Sequence, residues 1–232
     1  MARTVGIVGG MGPAATVEFM RRIVAATPAA DDRDHLRMLV DNNPKIPSRL
    51  RAILEGDGED PAPVLEAMAR GLARAGADFL AIPCNTAHHY LDAVRAASPV
   101  PVLDMLGETL AVLAGGRAPA KRVGLLASPA LRKVGLLDRR FQAAGVAVVH
   151  PDAAGEAALE RVIRAVKGAG AGEAEREAYA GVARGLAGEG VDALLVACTE
   201  LSMPPPPDAG VPVLDTLDTL VAAVIREATL PD

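Results

Sequence analysis

Tryptophan is absent and aromatic residues make up only 2% of the 232 residues, so a stacking platform for nucleobases or a ring-lined ligand pocket has almost nothing to draw on. A basic block is missing too. The 24 Lys and Arg are interleaved with 29 Asp and Glu, and the net charge of -5 argues against nucleic acid as a partner. No apolar run reaches the roughly eighteen residues a membrane-spanning helix needs. The N-terminus passes from Arg3 into an apolar segment and a Gly-rich loop without the layout of a secretory signal. A cytoplasmic protein without a membrane partner is expected. Two cysteines make no disulfide framework, and in a reducing compartment they are catalytic or buried rather than bridged. The histidines and cysteines also lack metal-ligand spacing, so no metal site is expected. These absences leave a small, polar molecule as the expected ligand.

The chain repeats itself. Ala77-Asp78-Phe79-Leu80-Ala81-Ile82-Pro83-Cys84 aligns with Val191-Asp192-Ala193-Leu194-Leu195-Val196-Ala197-Cys198, Val5-Gly6-Ile7-Val8 with Val123-Gly124-Leu125-Leu126, and Val100-Pro101-Val102-Leu103-Asp104 with Val211-Pro212-Val213-Leu214-Asp215. Both cysteines of the protein fall at matched positions at the end of an apolar run, which suggests paired thiol chemistry across a cleft between two halves.

Short Val/Ile/Leu runs alternate with Ala-rich amphipathic stretches, the pattern of βα units around a sheet buried on both faces. The expected fold class is α/β, with two pseudo-symmetric domains, each a mostly parallel sheet flanked by helices, and the active site in the cleft between them. Strands are expected near 4–8, 35–40, 78–83, 100–103, 121–126, 146–150, 192–197 and 212–214. Helices are expected near 13–26, 61–76, 87–97, 105–115, 130–144, 156–168, 173–189 and 216–228. Ligands of such sheets bind beyond the carboxyl ends of the strands, where Cys84, Cys198, Gly9-Gly10-Met11-Gly12, Asp41-Asn42-Asn43 and Ala127-Ser128 all fall.

Each cysteine precedes small polar residues, Asn85-Thr86 and Thr199-Glu200, which can start a helix. A helix N-terminus lowers a thiol's pKa, so each sulfur is expected to have base character. Asn85, Thr86 and Thr199 are expected donors for charge developing on a substrate. The Gly-rich loop around Met11, followed by Pro13 at a helix start, suits a carboxylate, and no Gly-Lys-Ser/Thr follows that would make it a P-loop. Its loose fit to a dinucleotide fingerprint explains neither cysteine.

Pro83-Cys84-Asn85-Thr86-Ala87-His88, Ala197-Cys198-Thr199-Glu200 and Gly6-Ile7-Val8-Gly9-Gly10-Met11-Gly12-Pro13 resemble the three signatures of the cofactor-independent aspartate/glutamate racemase superfamily, and most of all its aspartate racemase branch. The resemblance implies a PLP-independent isomerase with no cofactor, in which Cys84 and Cys198 exchange the roles of acid and base on an acidic amino acid, aspartate first among the candidates and glutamate or a broader set after it. It places Arg49 and Lys167 near the substrate carboxylates, while Met11 and Ser128 are expected among the binding residues from their strand-exit positions. Glu200 stands where the glutamate-specific branch carries His; it can relay a proton near Cys198 or cap a helix. His88 matches the family position and can be structural. The resemblance further implies a first domain of residues 1–100 plus 211–232, a second of 101–210, and a homodimer. Alternatives are a maleate isomerase-like or hydantoin racemase-like enzyme of the same superfamily, or a non-catalytic amino-acid-binding or redox-sensing protein. An arylmalonate decarboxylase needs only one thiol, so the two cysteines argue against it.

Overall fold

The computed structural model describes residues 2–49, 51–55, 57–115, 119–168 and 170–230. In the first half the elements are β1 (Val5–Gly9), α1 (Pro13–Ala26), β2 (Met38–Asn42), α2 (Ala62–Arg74), β3 (Phe79–Ala81), α3 (Leu91–Ala97) and α4 (Met105–Gly115). The second half holds β4 (Arg122–Leu126), α5 (Pro129–Val134), α6 (Leu136–Ala143), β5 (Ala147–Val149), α7 (Ala153–Lys167), α8 (Glu173–Gly188), β6 (Ala193–Val196) and β7 (Val213–Asp215), and α9 (Thr216–Ala228) follows.

The described strands form two parallel sheets flanked by helices, ordered β2-β1-β3 and β5-β4-β6-β7. A parallel bridge from Val102 to Leu80 stands in the first sheet where β7 stands in the second. The Leu80 N–H donates to Pro101 O and the Leu194 N–H to Pro212 O, both at 2.8 Å. The aligned sequence segments therefore make the same hydrogen bond in each half.

Two compact units divide the chain, Met1–Glu108 with Leu217–Asp232, and Thr109–Thr216. These limits lie beyond the expected 101 and 210. Hydrogen bonding explains the difference. Val102 is held by Leu80 of the first sheet, and Val213–Asp215 pairs with β6 rather than returning to the first half.

β1 is buried along its whole length, as a strand covered on both faces must be. Val5 and Ile7 join Phe79 and Ala81 against Phe19 and Ile23 of α1 and Leu217, Leu220 and Val224 of α9. On the opposite face Val8, Leu80 and Ile82 meet Leu65 and Leu72 of α2 and Val94 of α3. In the second unit Leu126, Leu194 and Val196 pack on Leu159, Val162, Ala183 and Leu186 of α7 and α8. Each fully buried Phe or Leu contributes about 1.5–3 kcal/mol.

Gly6 and Gly124 show why this packing requires glycine. They lie in register with Leu80 and Leu194. A Cβ on Gly6 would meet Leu80 Cδ2 at 2.5 Å and Leu72 Cβ at 3.2 Å; on Gly124 it would meet Leu194 Cδ2 at 2.8 Å and Leu186 Cβ at 3.1 Å.

Local differences from the sequence expectation have local causes. The helix expected over 130–144 is broken at Gly135, whose φ of 62° lets α5 end and α6 begin. The helix expected from 87 starts as a 3-10 turn over Thr86–Tyr90 before α3. A 3-10 turn at Asp32–Asp34 and a π-helical turn at Arg51–Glu55 were not foreseen. Among the described residues no helix is long and apolar enough to cross a membrane.

Candidate active site

Cys84 follows β3 and Cys198 follows β6, so each cysteine sits at the carboxyl edge of its own sheet; neither is in a disulfide and both are buried. Cys84 belongs to an apolar cluster with Met11, Ile46, Leu80 and Ala87, and its N–H donates to Ile82 O at 2.8 Å. Met11 is thus a buried side chain of the Cys84 surroundings. The loop that carries it is shaped by Gly10, at φ 99°, where an added Cβ would lie 2.2 Å from Asn43 O. Only glycine lets the loops after β1 and β2 approach this closely. The Gly10 N–H donates to Thr16 Oγ1 at 2.9 Å.

Asn85 is buried and Thr86 half-buried, the latter opening the 3-10 turn. Asn85 makes no side-chain cap, contrary to the expectation that it would start a helix, because its own backbone is already helical. His88, four residues after Cys84, is buried and bonds the Cys84 carbonyl through Nδ1 at 2.9 Å. Arg49 is half-buried. Its Nη1 donates to Pro47 O at 3.2 Å, and its Nε is buried without a hydrogen-bond partner among the described residues. Its charge reaches Tyr90 at the end of the 3-10 turn, whose hydroxyl burial pushes above the ordinary phenol value, with Asp60 adding to the rise and Arg49 opposing it.

Cys198 enters no helix. Thr199 to Ser202 form a hydrogen-bonded turn in which the Cys198 carbonyl accepts from the N–H of Leu201 at 2.8 Å and of Ser202 at 3.2 Å. The expected helix N-terminus is therefore replaced by a turn, and the expected lowering of the thiol is reversed. Burial pushes Cys198 well above the usual thiol value, the charge of Glu200 and its side-chain hydrogen bond add to the rise, and the N–H groups of Glu200 and Leu201 oppose it less strongly. The Cys198 Sγ–H donates to Glu200 Oε2 at 3.1 Å, and Lys167 Nζ stands 3.5 Å from Oε1 of the same carboxylate. Glu200 is buried at 7% exposure, while the Lys167 side chain, in the last turn of α7, keeps 59%. A buried carboxylate needs such partners, since desolvation alone would cost several kcal/mol. Thr199 is buried beside this chain of contacts.

Ser128 is placed differently. Its Oγ accepts from the Leu131 N–H and caps α5.

Two features of the second unit were not read from the sequence. Ser202 Oγ donates to Asp215 Oδ1 at 2.8 Å, tying the turn to the end of β7. Its position, 114 residues after His88, is the signal that could have revealed it. Tyr179 of α8 is 1% exposed, and its hydroxyl has no hydrogen-bond partner among the described residues. Burial above all, then the charges of Asp215 and Cys198, push it above the ordinary value. No sequence pattern distinguishes this tyrosine from an ordinary core residue.

A cleft of about 640 Å³ opens in the second unit between the end of β5, the start of α7 and α8, where Gly155, Ala158, Gly181 and Gly185 leave room. Neither Cys198, Glu200 nor Lys167 lines it, so its size does not mark the thiol site. Among the described residues no three His, Cys, Asp or Glu side chains converge as metal ligands.

A family model described as Asp/Glu/Hydantoin racemase matches residues 8–224, a span containing both cysteines. The chain belongs to the Asp/Glu/hydantoin racemase family. The aspartate racemase of Picrophilus torridus is similar to it at 32% identity, with 97% of this chain and 94% of that one covered and a TM-score of 0.86. A broad-specificity amino-acid racemase of Bacillus subtilis (strain 168) is 28% identical over 167 residues, 70% of each chain. Unliganded arylmalonate decarboxylase shares the fold alone, at 14% identity and a TM-score of 0.57 over 99% of this chain and 94% of its own. The named racemases are isomerases that act on amino acids, and this family member is an isomerase.

Proposed function

We propose that this chain is a cofactor-independent amino-acid racemase acting on aspartate, with Cys84 and Cys198 serving opposite faces of the substrate's α-carbon. The carrying observation is the Cys198 thiol, buried, hydrogen-bonded to Glu200 at 3.1 Å and equivalent by repeat to Cys84. Racemisation needs one acid and one base, and here one member of a matched thiol pair is held protonated. The identity to the Picrophilus torridus aspartate racemase supports the substrate.

With Cys198 as thiol, Cys84 starts as the base. Cys84 thiolate takes the α-proton from one enantiomer, the electron pair is held in a planar carbanion-like species, and Cys198 delivers its proton to the other face. Afterwards Cys84 is thiol and Cys198 thiolate, the state that accepts the opposite enantiomer. Asn85, Thr86 and Thr199 supply donors to the charge that develops on the substrate carboxylate. Arg49 and Lys167 pair with the two carboxylates, Lys167 exchanging Glu200 for substrate. Neither pyridoxal phosphate nor metal takes part; dialysis against a chelator and treatment with hydroxylamine should leave turnover intact. Ser128, which caps α5, is kept as a binding residue on its strand-exit position alone. The active form is a cytoplasmic homodimer by the same resemblance, which sedimentation of the purified protein tests.

Chiral chromatography of aspartate, with deuterium uptake at Cα in heavy water, is the deciding assay. Wild type should racemise and exchange, and Cys84→Ser or Cys198→Ser should each lower racemisation by a factor of about 10² to 10⁴. Full racemisation by either variant would overturn the two-thiol reading. The Bacillus subtilis relative favours a second reading, a broad-specificity racemase. Turnover of neutral or basic amino acids at rates near that of aspartate would select it.

A further inference from the structure

The proposed chemistry leaves His88 without a role, although an imidazole at 3% exposure must be matched to its surroundings. Both of its ring nitrogens carry hydrogen bonds. The Met105 N–H donates to Nε2 at 3.1 Å, and a backbone amide can only donate, so Nε2 is an unprotonated acceptor. Nδ1 lies 2.9 Å from the Cys84 carbonyl, which can only accept, so Nδ1 carries the proton. The pair of contacts specifies one neutral tautomer. It also joins the main chain of Cys84 to the first residue of α4, across a sequence separation that no turn could span.

The second half has a counterpart. Ser202 stands four residues after Cys198, as His88 stands four after Cys84, and donates to Asp215 at 2.8 Å. Asp215 matches Asp104, the residue before Met105, in the sequence repeat. In both halves the fourth residue after the cysteine fastens the cysteine's turn to the chain leaving the neighbouring strand.

We infer that His88 is a positioning residue that holds Cys84 in place through the Nδ1–H tautomer and does not itself transfer the substrate proton. This rests on the proposed role of Cys84. Releasing the carbonyl lets the sulfur drift, and a misplacement of about 1 Å costs about a hundredfold in rate.

Three variants and one spectrum test it. His88→Ala should lose about a hundredfold in kcat while KM for aspartate changes by less than about threefold. His88→Asn, whose amide nitrogen can occupy the Nδ1 place, should restore about tenfold of that loss, and His88→Gln, whose amide reaches the Nε2 place instead, should not. Nitrogen-15 correlation spectra of the wild type at neutral pH should show Nδ1 protonated and Nε2 bare, a readout independent of activity and of whether any variant folds. Protonated Nε2, or equal rescue by Gln and Asn, would overturn the assignment. Failure of the two-thiol reading looks different: Cys84→Ser would stay active while the tautomer remained as described.

Discussion

Each cysteine's carbonyl takes a side-chain bond from the fourth residue beyond it, His88 at 2.9 Å and Ser202 at 3.4 Å, and at Cys198 the sulfur itself also bonds Glu200 at 3.1 Å. The strands beneath are close copies, down to the Leu80–Pro101 and Leu194–Pro212 hydrogen bonds at 2.8 Å. Duplication has therefore kept the backbone that presents each thiol and changed the second and fourth residues beyond it. A racemase has a reason for such unequal copies. Under the proposed two-thiol reading the reacting groups differ in protonation at the start of each turnover, and the carboxylate beside Cys198 favours the state in which that sulfur holds the proton.

Replacing either sulfur by oxygen is the largest intervention on that comparison. Cys84→Ser and Cys198→Ser should each lower racemisation by a factor of about 10² to 10⁴. Because enantiomers are equal in free energy, kcat/KM falls equally in both directions for any variant. The difference between the halves shows instead in one-sided deuterium exchange, which each variant should keep for opposite enantiomers of aspartate. Exchange of the same enantiomer by both would break the proposed division of labour.

The packed glycines compare the halves without chemistry. Gly6→Ala forces a Cβ to 2.5 Å from Leu80 Cδ2 and 2.9 Å from Ala77 Cβ, where Gly124→Ala meets Leu194 Cδ2 at 2.8 Å and Val191 Cγ2 at 3.5 Å. Overpacking of this kind costs about 1–3 kcal/mol, with Gly6 at the upper end and Gly124 at the lower. Urea unfolding of the two variants should rank them in that order, and a larger loss at Gly124 would show that the second sheet is the more tightly packed.

Glu200→Gln removes the charge that separates the two thiols. Burial, the leading cause of the raised Cys198 value, remains, so the thiol should titrate lower than in wild type but still above its ordinary 9.0. Ultraviolet thiolate absorbance in a Cys84→Ser background measures this directly, and an unchanged midpoint would remove Glu200 from the account. Stability follows with a definite sign. Folded Cys198 holds its proton more tightly than the unfolded chain, so its contribution is complete below about pH 9 and is lost as pH rises from there toward the folded value. Tyr179 adds a loss of the same sign above 10.0. Thermal midpoints taken from about pH 8 upward should fall less steeply in Glu200→Gln than in wild type.

These contrasts also mark what could be read from residue order. The repeat made the matched strands and the strand-exit cysteines legible, because each depends on local spacing. Thr199-Glu200-Leu201 reads equally well as a helix start or a turn, and only the turn after β6 decides between them. Burial of Glu200 and Cys198, the leading cause of the raised Cys198 value, comes from packing between segments distant in sequence. Val213–Asp215 carries the motif of a strand that the resemblance assigns to the first domain, and its pairing with β6 puts it in the second sheet instead. Tyr179 reaches the surroundings of Cys198 only through the packing of α8.

The smallest predicted effect separates the two cations. Lys167 keeps 59% exposure and already stands 3.5 Å from the buried Glu200, so an incoming carboxylate gains little from it that water and Glu200 do not already share. Arg49 is half-buried with Nε facing no described acceptor, an arrangement that favours an incoming carboxylate. Arg49→Ala should accordingly raise KM for aspartate by about tenfold or more, the value of a hydrogen bond to a charged group, and Lys167→Ala by no more than about fivefold. A competitive inhibitor with one carboxylate in place of two sharpens the assignment. It should lose its dependence on whichever cation holds the side-chain carboxylate, and equal sensitivity to both variants would mean that neither is specific for that group.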